Sequence, residues 1–303
     1  SIYEVPVSMQ AQGLDAIILR KMNMPVGETP QLGPWRSFLE RRNKATEVVH
    51  IALVGKYDLQ DAYKSILESL AHAGTYNDHK VKTHFINSEK LTRENIAAQL
   101  QGMAGVVICP GFGQRGIEGK ILAAEYTRTH DIPTFGICLG MQMMVVEFAR
   151  NVLGYADANS REMDEKTPHN VIDIMEEQKN ITQMGGTMRL GAYECELRED
   201  SKTYEAYQNR IILERHRHRY EFNSHFTEEF EKAGMQCVGT NPDSNLVEIV
   251  EIPSLKWYIG TQFHPEYSST VLKPHPLFLS FVKAAIANKP NIEDQALNEQ
   301  ENG

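Results

Sequence analysis

Cysteine is scarce and scattered. The chain has four, Cys109, Cys138, Cys195 and Cys237, in 303 residues, and no two of them form a C-x-x-C pair. That argues against a disulfide framework or a zinc ribbon, both of which need grouped cysteines, and it suits a reducing, cytoplasmic setting. Long apolar runs are missing too, since none reaches the roughly 18 residues that span a bilayer. The first residues, Ser1-Ile2-Tyr3-Glu4-Val5-Pro6, lack the basic and apolar regions of a secretory signal. Positive charge is in deficit: 31 Lys and Arg against 40 Asp and Glu leave a formal charge of −9. A general nucleic-acid binder needs a basic surface for phosphate contacts, so that class is disfavoured. A nucleotide-binding P-loop is also absent. Gly113 to Lys120 comes nearest, but Gly113 stands one place too early and Ile121 occupies the required Ser or Thr position. What is present is an ordinary hydrophobic fraction of 41%, in a chain long enough for one large α/β domain or two small ones.

Up to about Lys44 the sequence reads as irregular. Asn23 to Pro34 holds three prolines and two glycines, the composition of a linker. Ser1 to Met22 reads as the end of something larger. Strands and helices then alternate. Val48 to Val54, Val81 to Ile86, Val106 to Ile108 and Pro133 to Ile137 are apolar strand candidates. Between them, Asp61 to Ala73 has helical spacing with Gly74 as a stop, Thr92 to Gln101 reads as a helix capped by Thr92, and Ile117 to Thr129 as another. Such alternation predicts an α/β fold, an open, mostly parallel twisted sheet flanked by helices. Ligands of such sheets gather at the carboxyl ends of the strands. From about Val171 the pattern becomes strand-rich. The expected organisation is an N-terminal piece and linker over 1–44, one domain over 45–290, and a frayed acidic tail over 291–303.

Phe135-Gly136-Ile137-Cys138-Leu139-Gly140-Met141-Gln142 lies where a short strand meets a helix. Its G-x-C-x-G core is the cysteine counterpart of the G-x-S-x-G nucleophile elbow. A sharp strand-to-helix turn brings the positions two before and two after the nucleophile together, so both must be small. The turn lifts the sulfur above the sheet and places Cys138 at a helix N-terminus, where the dipole favours thiolate. The Leu139 amide then faces the same space as a candidate oxyanion donor.

A nucleophilic cysteine needs a base, and the base needs a partner that fixes its tautomer. Gln262-Phe263-His264-Pro265-Glu266 follows the apolar strand candidate Trp257 to Thr261. His264 and Glu266 are two apart, so in extended chain they project to one side, and Pro265 keeps its predecessor extended. Glu266 is therefore the candidate orienter of His264.

With these two motifs, in this order, the chain resembles the class I (triad) glutamine amidotransferases. Among them it is most similar to the glutaminase domain of the CTP synthase family, over nearly its whole length. The residues that carry the likeness are Val54-Gly55-Lys56-Tyr57, Asp61-Ala62-Tyr63-Lys64-Ser65, Gly111-Phe112-Gly113 with Arg115-Gly116, and Gly185-Gly186-Thr187-Met188-Arg189-Leu190-Gly191. Glu214-Arg215-His216-Arg217-His218-Arg219-Tyr220-Glu221 is the most specific segment. Ile2 to Pro6 with Gln12 to Asp15 looks like the end of that family's synthase domain, which makes 1–44 its terminus plus the interdomain linker.

The resemblance implies glutamine hydrolysis through a Cys138 thioester, with His264 as acid and base. The ammonia would pass to a synthase domain absent from this chain, where ATP and Mg²⁺ activate UTP on the way to CTP. It also implies Arg219 on the α-carboxylate of glutamine and Glu162 on its α-ammonium, chemistry that suits a guanidinium fork and a carboxylate. Gln142 is a further glutamine-binding candidate. The family's usual loop reads Pro-Gly-Gly-Phe-Gly, whereas this chain has Cys109-Pro110-Gly111-Phe112-Gly113. Proline carries no N–H, so Gly111 is left as the second oxyanion donor. Phe112 and Arg115 are candidates for a GTP effector contact. No cofactor is expected in the chain itself, and no metal, because His216 and His218 lack a clear third ligand. A homo-oligomeric full enzyme is expected, with no nucleic-acid or membrane partner. Two other readings compete: the glutaminase of another amidotransferase or a free-standing γ-glutamyl hydrolase, and a catalytically inactive assembly module.

Overall fold

The computed structural model describes residues 1–28, 30–57, 60–174 and 188–289. Gly185, Gly186 and Thr187, and the tail over 291–303, lie outside the described residues.

The N-terminal stretch is more regular than its prolines and glycines imply. Helices α1 (Val5–Ala11), α2 (Leu14–Lys21) and α3 (Gly33–Lys44) occupy most of it. Proline is tolerated there because it sits in the first turns of α1 and α3, where no backbone donor is lost. The segment is fastened to the domain by Tyr3. Its hydroxyl meets Glu68 and His72, and its carbonyl accepts from Trp35 Nε1 at 2.6 Å.

The domain proper is built on strands β1 (Val48–Gly55), β2 (Lys80–Asn87), β3 (Gly105–Ile108) and β4 (Thr134–Ile137). Helices α4 (Lys64–Tyr76), α5 (Ile96–Leu100), α6 (Ile117–Thr129) and α7 (Leu139–Asn151) alternate with them. Strands β5 (Asn159–Ser160), β6 (Asn170–Ile174), β7 (Arg189–Leu197), β8 (Ile211–His218) and β9 (Tyr220–Phe222) follow, with α8 (Lys202–Tyr207) between β7 and β8. The chain continues through α9 (Thr227–Ala233), β10 (Gln236–Thr240), β11 (Val247–Glu251), β12 (Tyr258–Thr261) and α10 (Pro276–Ala287). The main sheet runs β2-β1-β3-β4-β12-β11-β10-β7-β8, and β5-β6-β9 make a second, smaller sheet. From β2 to β12 neighbouring strands are parallel, and from β12 to β8 antiparallel. The predicted parallel α/β core and the strand-rich C-terminal half are thus two ends of one sheet.

Parallel strands are apolar on both faces because helices cover both. Val106, Val107, Ile108, Phe135 and Ile137 are all fully buried. Ala52, Val54 and the α7 side chains pack on one face; Val49, Ile51, Leu53 and the α10 phenylalanines Phe278 and Phe281 pack on the other. Two local readings are corrected. Helix α4 runs through Gly74 to Tyr76, and a side chain at Gly74 would meet Val81 Cγ2 at 2.7 Å. Glycine is there for strand-to-helix contact, not as a stop. The helix expected from Thr92 begins only at Ile96, since Asn95 Oδ1 folds back to accept from the Thr92 amide at 2.9 Å.

Candidate active site

The site follows from the register of two neighbouring strands. β4 and β12 are parallel, with Gly136 opposite Gly260 and Ile137 opposite Thr261. Their carboxyl ends therefore emerge side by side, one leading into Cys138 and the other into Gln262–Glu266. The Cys138 amide donates to the Thr261 carbonyl at 2.7 Å, which ties the two exits together.

Cys138 caps the N-terminus of α7 at φ 53°, ψ −107°. A non-glycine residue held at positive φ carries local strain, a recurrent feature of reactive turns. The flanking glycines are required by contact. A Cβ on Gly136 would lie 2.1 Å from Met144 Sδ and 2.9 Å from the Gly140 carbonyl carbon, and one on Gly140 would lie 2.0 Å from the Ile108 oxygen. The elbow predicted from G-x-C-x-G is this turn. Leu139 is the first residue of α7, so its amide has no intrahelical acceptor.

His264 Nδ1 lies 2.7 Å from Glu266 Oε1, and both side chains are buried. The contact is made differently from the extended segment expected. Pro265–Tyr267 forms a short 3₁₀ turn with His264 as its cap. The turn brings Tyr267 under the imidazole, ring centroids 5.0 Å apart and nearly parallel, and the His264 amide is anchored on the Arg215 carbonyl at 2.8 Å. Burial alone would lower the pKa of His264. The Coulombic pull of Cys138, together with the contact to Glu266, outweighs burial and raises the imidazole to about 11.

Cys138 and His264 open into a cavity of about 450 Å³ that is also lined by Gly111, Phe112, Gln142, Glu162, Arg217 and Arg219. Each glutamine-binding candidate named from sequence thus reaches the same space, with an arginine and a carboxylate both present for the two ends of a free amino acid. Glu162 Oε1 also accepts from the Gly113 amide at 2.9 Å. A carboxylate has about four acceptor positions, so one hydrogen bond leaves room for an ammonium. Of the effector candidates, Phe112 is 72% exposed at the cavity mouth, while Arg115 points to Glu89 at 3.2 Å.

Sequence reasoning gave no role in the site to two lysines beneath the Cys109–Gly113 loop. Lys120 is fully buried with its ammonium on the Cys109 and Pro110 carbonyls, and Lys56 holds the Phe112 carbonyl. Burial pulls Lys120 down to about 8, partly opposed by Cys109, and burial also lowers Lys56. Lys120 left no signal of its own, because it sits between the apolar positions Ile117 and Ile121 of an otherwise ordinary amphipathic helix.

The basic segment Arg215 to Arg219 is half buried. β8 alternates, with Arg215 and Arg217 outward and Glu214, His216 and His218 inward. His216 Nδ1 lies 2.8 Å from His218 Nε2, and Arg189 lies 2.6 Å from Glu248 behind them. Burial lowers His216 to about 2 and His218 to about 3, with neighbouring charged groups adding to the effect, which favours the neutral form of both rings. Among the described residues no group of three His, Cys, Asp or Glu side chains is placed to hold a metal, and no helix is long and apolar enough to cross a membrane.

Comparison with known proteins identifies the family. The family described as glutamine amidotransferase class-I matches residues 58–284. The chain is 74% identical over 293 residues to a CTP synthase of Bacteroides thetaiotaomicron, covering 96% of this chain and 55% of that protein. It is 56% identical over 290 residues to a CTP synthase of Porphyromonas gingivalis, covering 95% of this chain and 54% of that protein. The chain thus spans about half the length of the curated relatives it matches. Among solved structures, the Trypanosoma brucei CTPS glutaminase domain with bound acivicin is similar at a TM-score of 0.75 and 39% identity. That match covers 80% of this chain and 96% of the other.

Proposed function

The chain belongs to the class I glutamine amidotransferase family, and from that premise we propose that it hydrolyses L-glutamine to glutamate and ammonia through a Cys138 thioester. One observation carries the reading: a strained elbow cysteine at a helix N-terminus shares a cavity with a buried His264–Glu266 pair at 2.7 Å. Incubating the purified chain with L-glutamine and measuring glutamate and ammonia tests it directly.

In this reading the Cys138 sulfur bonds to the side-chain amide carbon, and the developing oxyanion takes the Leu139 and Gly111 amides. His264 gives its proton to the departing nitrogen as the C–N bond breaks, and ammonia leaves. The surroundings of the imidazole explain why it can. Burial works against its charge, and the negative sulfur of Cys138 is the strongest of the influences that sustain it. That support vanishes once the sulfur is acylated, so burial dominates and the imidazolium becomes a stronger acid. The neutral imidazole then takes a proton from water, which cleaves the thioester and restores the thiolate.

Because His264 is held charged up to about 11 in the free protein, kcat/KM is expected to persist through neutral pH. Its alkaline fall should come well above the ordinary imidazole value of 6.5. Ammonia-release rates between about pH 6 and about pH 11 check this. A fall centred near 6.5 would show that His264 is not the required acid.

Arg219→Ala is expected to raise KM for glutamine with little change in kcat. The α-carboxylate is untouched by amide cleavage, so its binding is uniform between ground and transition states. Losing a charged hydrogen bond worth roughly 1.5–3 kcal/mol is about a 10- to 100-fold effect. An unchanged KM would move that contact to Arg217.

The wider proposal follows the relatives named CTP synthase. The ammonia serves a synthase domain that uses ATP and Mg²⁺ to convert UTP to CTP, in a homo-oligomeric cytoplasmic enzyme, with GTP as an activator near Phe112 and Arg115. The loop carrying Gly111 is held at Phe112 by Lys56 and at Gly113 by Glu162, which makes it the candidate switch. The chain alone is expected to hydrolyse glutamine slowly and to make no CTP. Adding a synthase domain and GTP should speed hydrolysis, and full-speed hydrolysis unaffected by either would favour a free-standing hydrolase. An inactive module is disfavoured by the intact Cys138, His264 and Glu266 set.

A further inference from the structure

We infer that Gln262 is a positioning residue that holds the Cys138 sulfur through an N–H···S hydrogen bond, in an orientation imposed by Gln142. The inference rests on the reading of Cys138 as the nucleophile and adds a residue to that site.

Gln262 directly follows β12 and is fully buried. Its backbone is fixed, because its amide donates to the Glu248 carbonyl at 2.8 Å. Its side-chain Nε2 lies 3.7 Å from Cys138 Sγ, a normal distance for a donor to sulfur. The opposite end of the same amide is also engaged: Gln262 Oε1 accepts from Gln142 Nε2 at 3.2 Å. Gln142 Nε2 makes a second bond, to the Tyr220 carbonyl at 2.8 Å.

An amide nitrogen has two N–H groups, and both of those on Gln142 are now spent. The Gln262 oxygen must therefore face Gln142, which turns the Gln262 N–H groups toward the sulfur. Flipping Gln262 would set one NH₂ against another and press a carbonyl oxygen onto Cys138. The Tyr220 carbonyl thus determines, through two amides, which atom meets the nucleophile. Gln262 itself is fully buried, so its amide has no solvent alternative to these two partners.

The charged and titratable groups that act on the sulfur are His264 from the 3₁₀ turn and Lys120 from α6. Glu162, Arg217, His218 and Arg219 line the same cavity. These set the field, but His264 gives up its proton during the reaction. Gln262 is a neutral donor that remains in place throughout. A hydrogen bond to the charged form of a group favours that form, so the amide both aims the sulfur and supports the thiolate.

The test reads Cys138 without glutamine. The rate of carboxamidomethylation of Cys138 by iodoacetamide is measured by mass spectrometry against pH, in the wild-type chain, in Gln262→Met and in Gln142→Met. Methionine nearly preserves side-chain length and shape while removing the amide. Gln262→Met is expected to move the alkylation profile up by about one pH unit, an approximately tenfold slower reaction on the acid side. Gln142→Met keeps the donor but frees it to flip, and should shift the profile in the same direction by less. Gln142→Met keeps the inference testable if Gln262→Met fails to fold. Profiles superimposable on wild type in the folded variants overturn the role of Gln262 while leaving Cys138 as nucleophile. A wild-type Cys138 that reacts no faster than an ordinary thiol overturns both readings.

Discussion

Cys138→Ala is expected to lower glutamine hydrolysis by roughly 10⁴- to 10⁶-fold in a chain that remains folded. The size follows from the absence of a substitute. Cys109, Cys195 and Cys237 are buried, and burial pushes each thiol up, to about 12 for Cys109 and for Cys237. Each of the three lies in or directly after a strand, and none caps a helix. Water attack assisted by His264 has no counterpart of the α7 terminus aimed at it. Stability should change far less than activity. Alanine removes one small atom from a residue that is 6% exposed, and leaves Gly136 and Gly140 in the tight turn they require. That substitution falls in the ordinary range of about 1 kcal/mol. Ammonia release by the purified variant is the measurement, with its thermal transition as the control for folding. Near-normal hydrolysis would remove Cys138 from the mechanism.

The elbow was legible because its constraint is local. Five residues meet one another within a single turn, and the glycines had to be where contact distances exclude a side chain. The parallel half of the sheet was legible for a similar reason, since strands buried on both faces, such as Gly105–Ile108 and Thr134–Ile137, read as continuous apolar runs. His264 and Glu266 were legible as a pair, but not in their geometry. The 3₁₀ turn at Pro265–Tyr267 depends on the anchor at Arg215 and the stack on Tyr267, and neither is visible from H-P-E alone.

What stayed hidden is long-range. Gln262 owes its role to an element far away in sequence, 124 residues from Cys138, and Lys120 owes its role to the fold of a loop 11 residues before it. A lysine in a helix and a glutamine after a strand carry no local mark of burial. The helices of the first 44 residues were hidden differently. Proline and glycine are ambiguous punctuation, and the same residues that end helices also open α1 and α3. The two faces of the basic run on β8 were hidden as well, because its period of two splits it into an exposed arginine face and a buried glutamate–histidine face only once the strand has a covered side.

His264→Ala is expected to cost hydrolysis within a few-fold of what Cys138→Ala costs, whereas Glu266→Ala should be roughly a hundredfold milder. Nucleophile and base act as a unit, so losing either removes the same step. Without His264 the thiolate loses its main partner and the leaving nitrogen loses its proton source. Glu266 does neither job. It fixes the tautomer by accepting from Nδ1, but it is one of three restraints on the ring. The His264 amide remains held by Arg215 and the imidazole remains stacked on Tyr267. The charge state of His264 points the same way. Against the opposing effect of burial, Cys138 sustains the imidazolium more strongly than Glu266 does, and that support survives removal of the carboxylate. The alkaline limb of kcat/KM in Glu266→Ala should therefore move down from the wild-type position while staying above 6.5, the ordinary histidine value. Single-turnover rates for the two variants, taken across the same pH range, separate these roles. If Glu266→Ala proved the slower enzyme, or if its alkaline limb did not move, the carboxylate would be more than an orienter and the assignment of acid and base at this site would have to be exchanged.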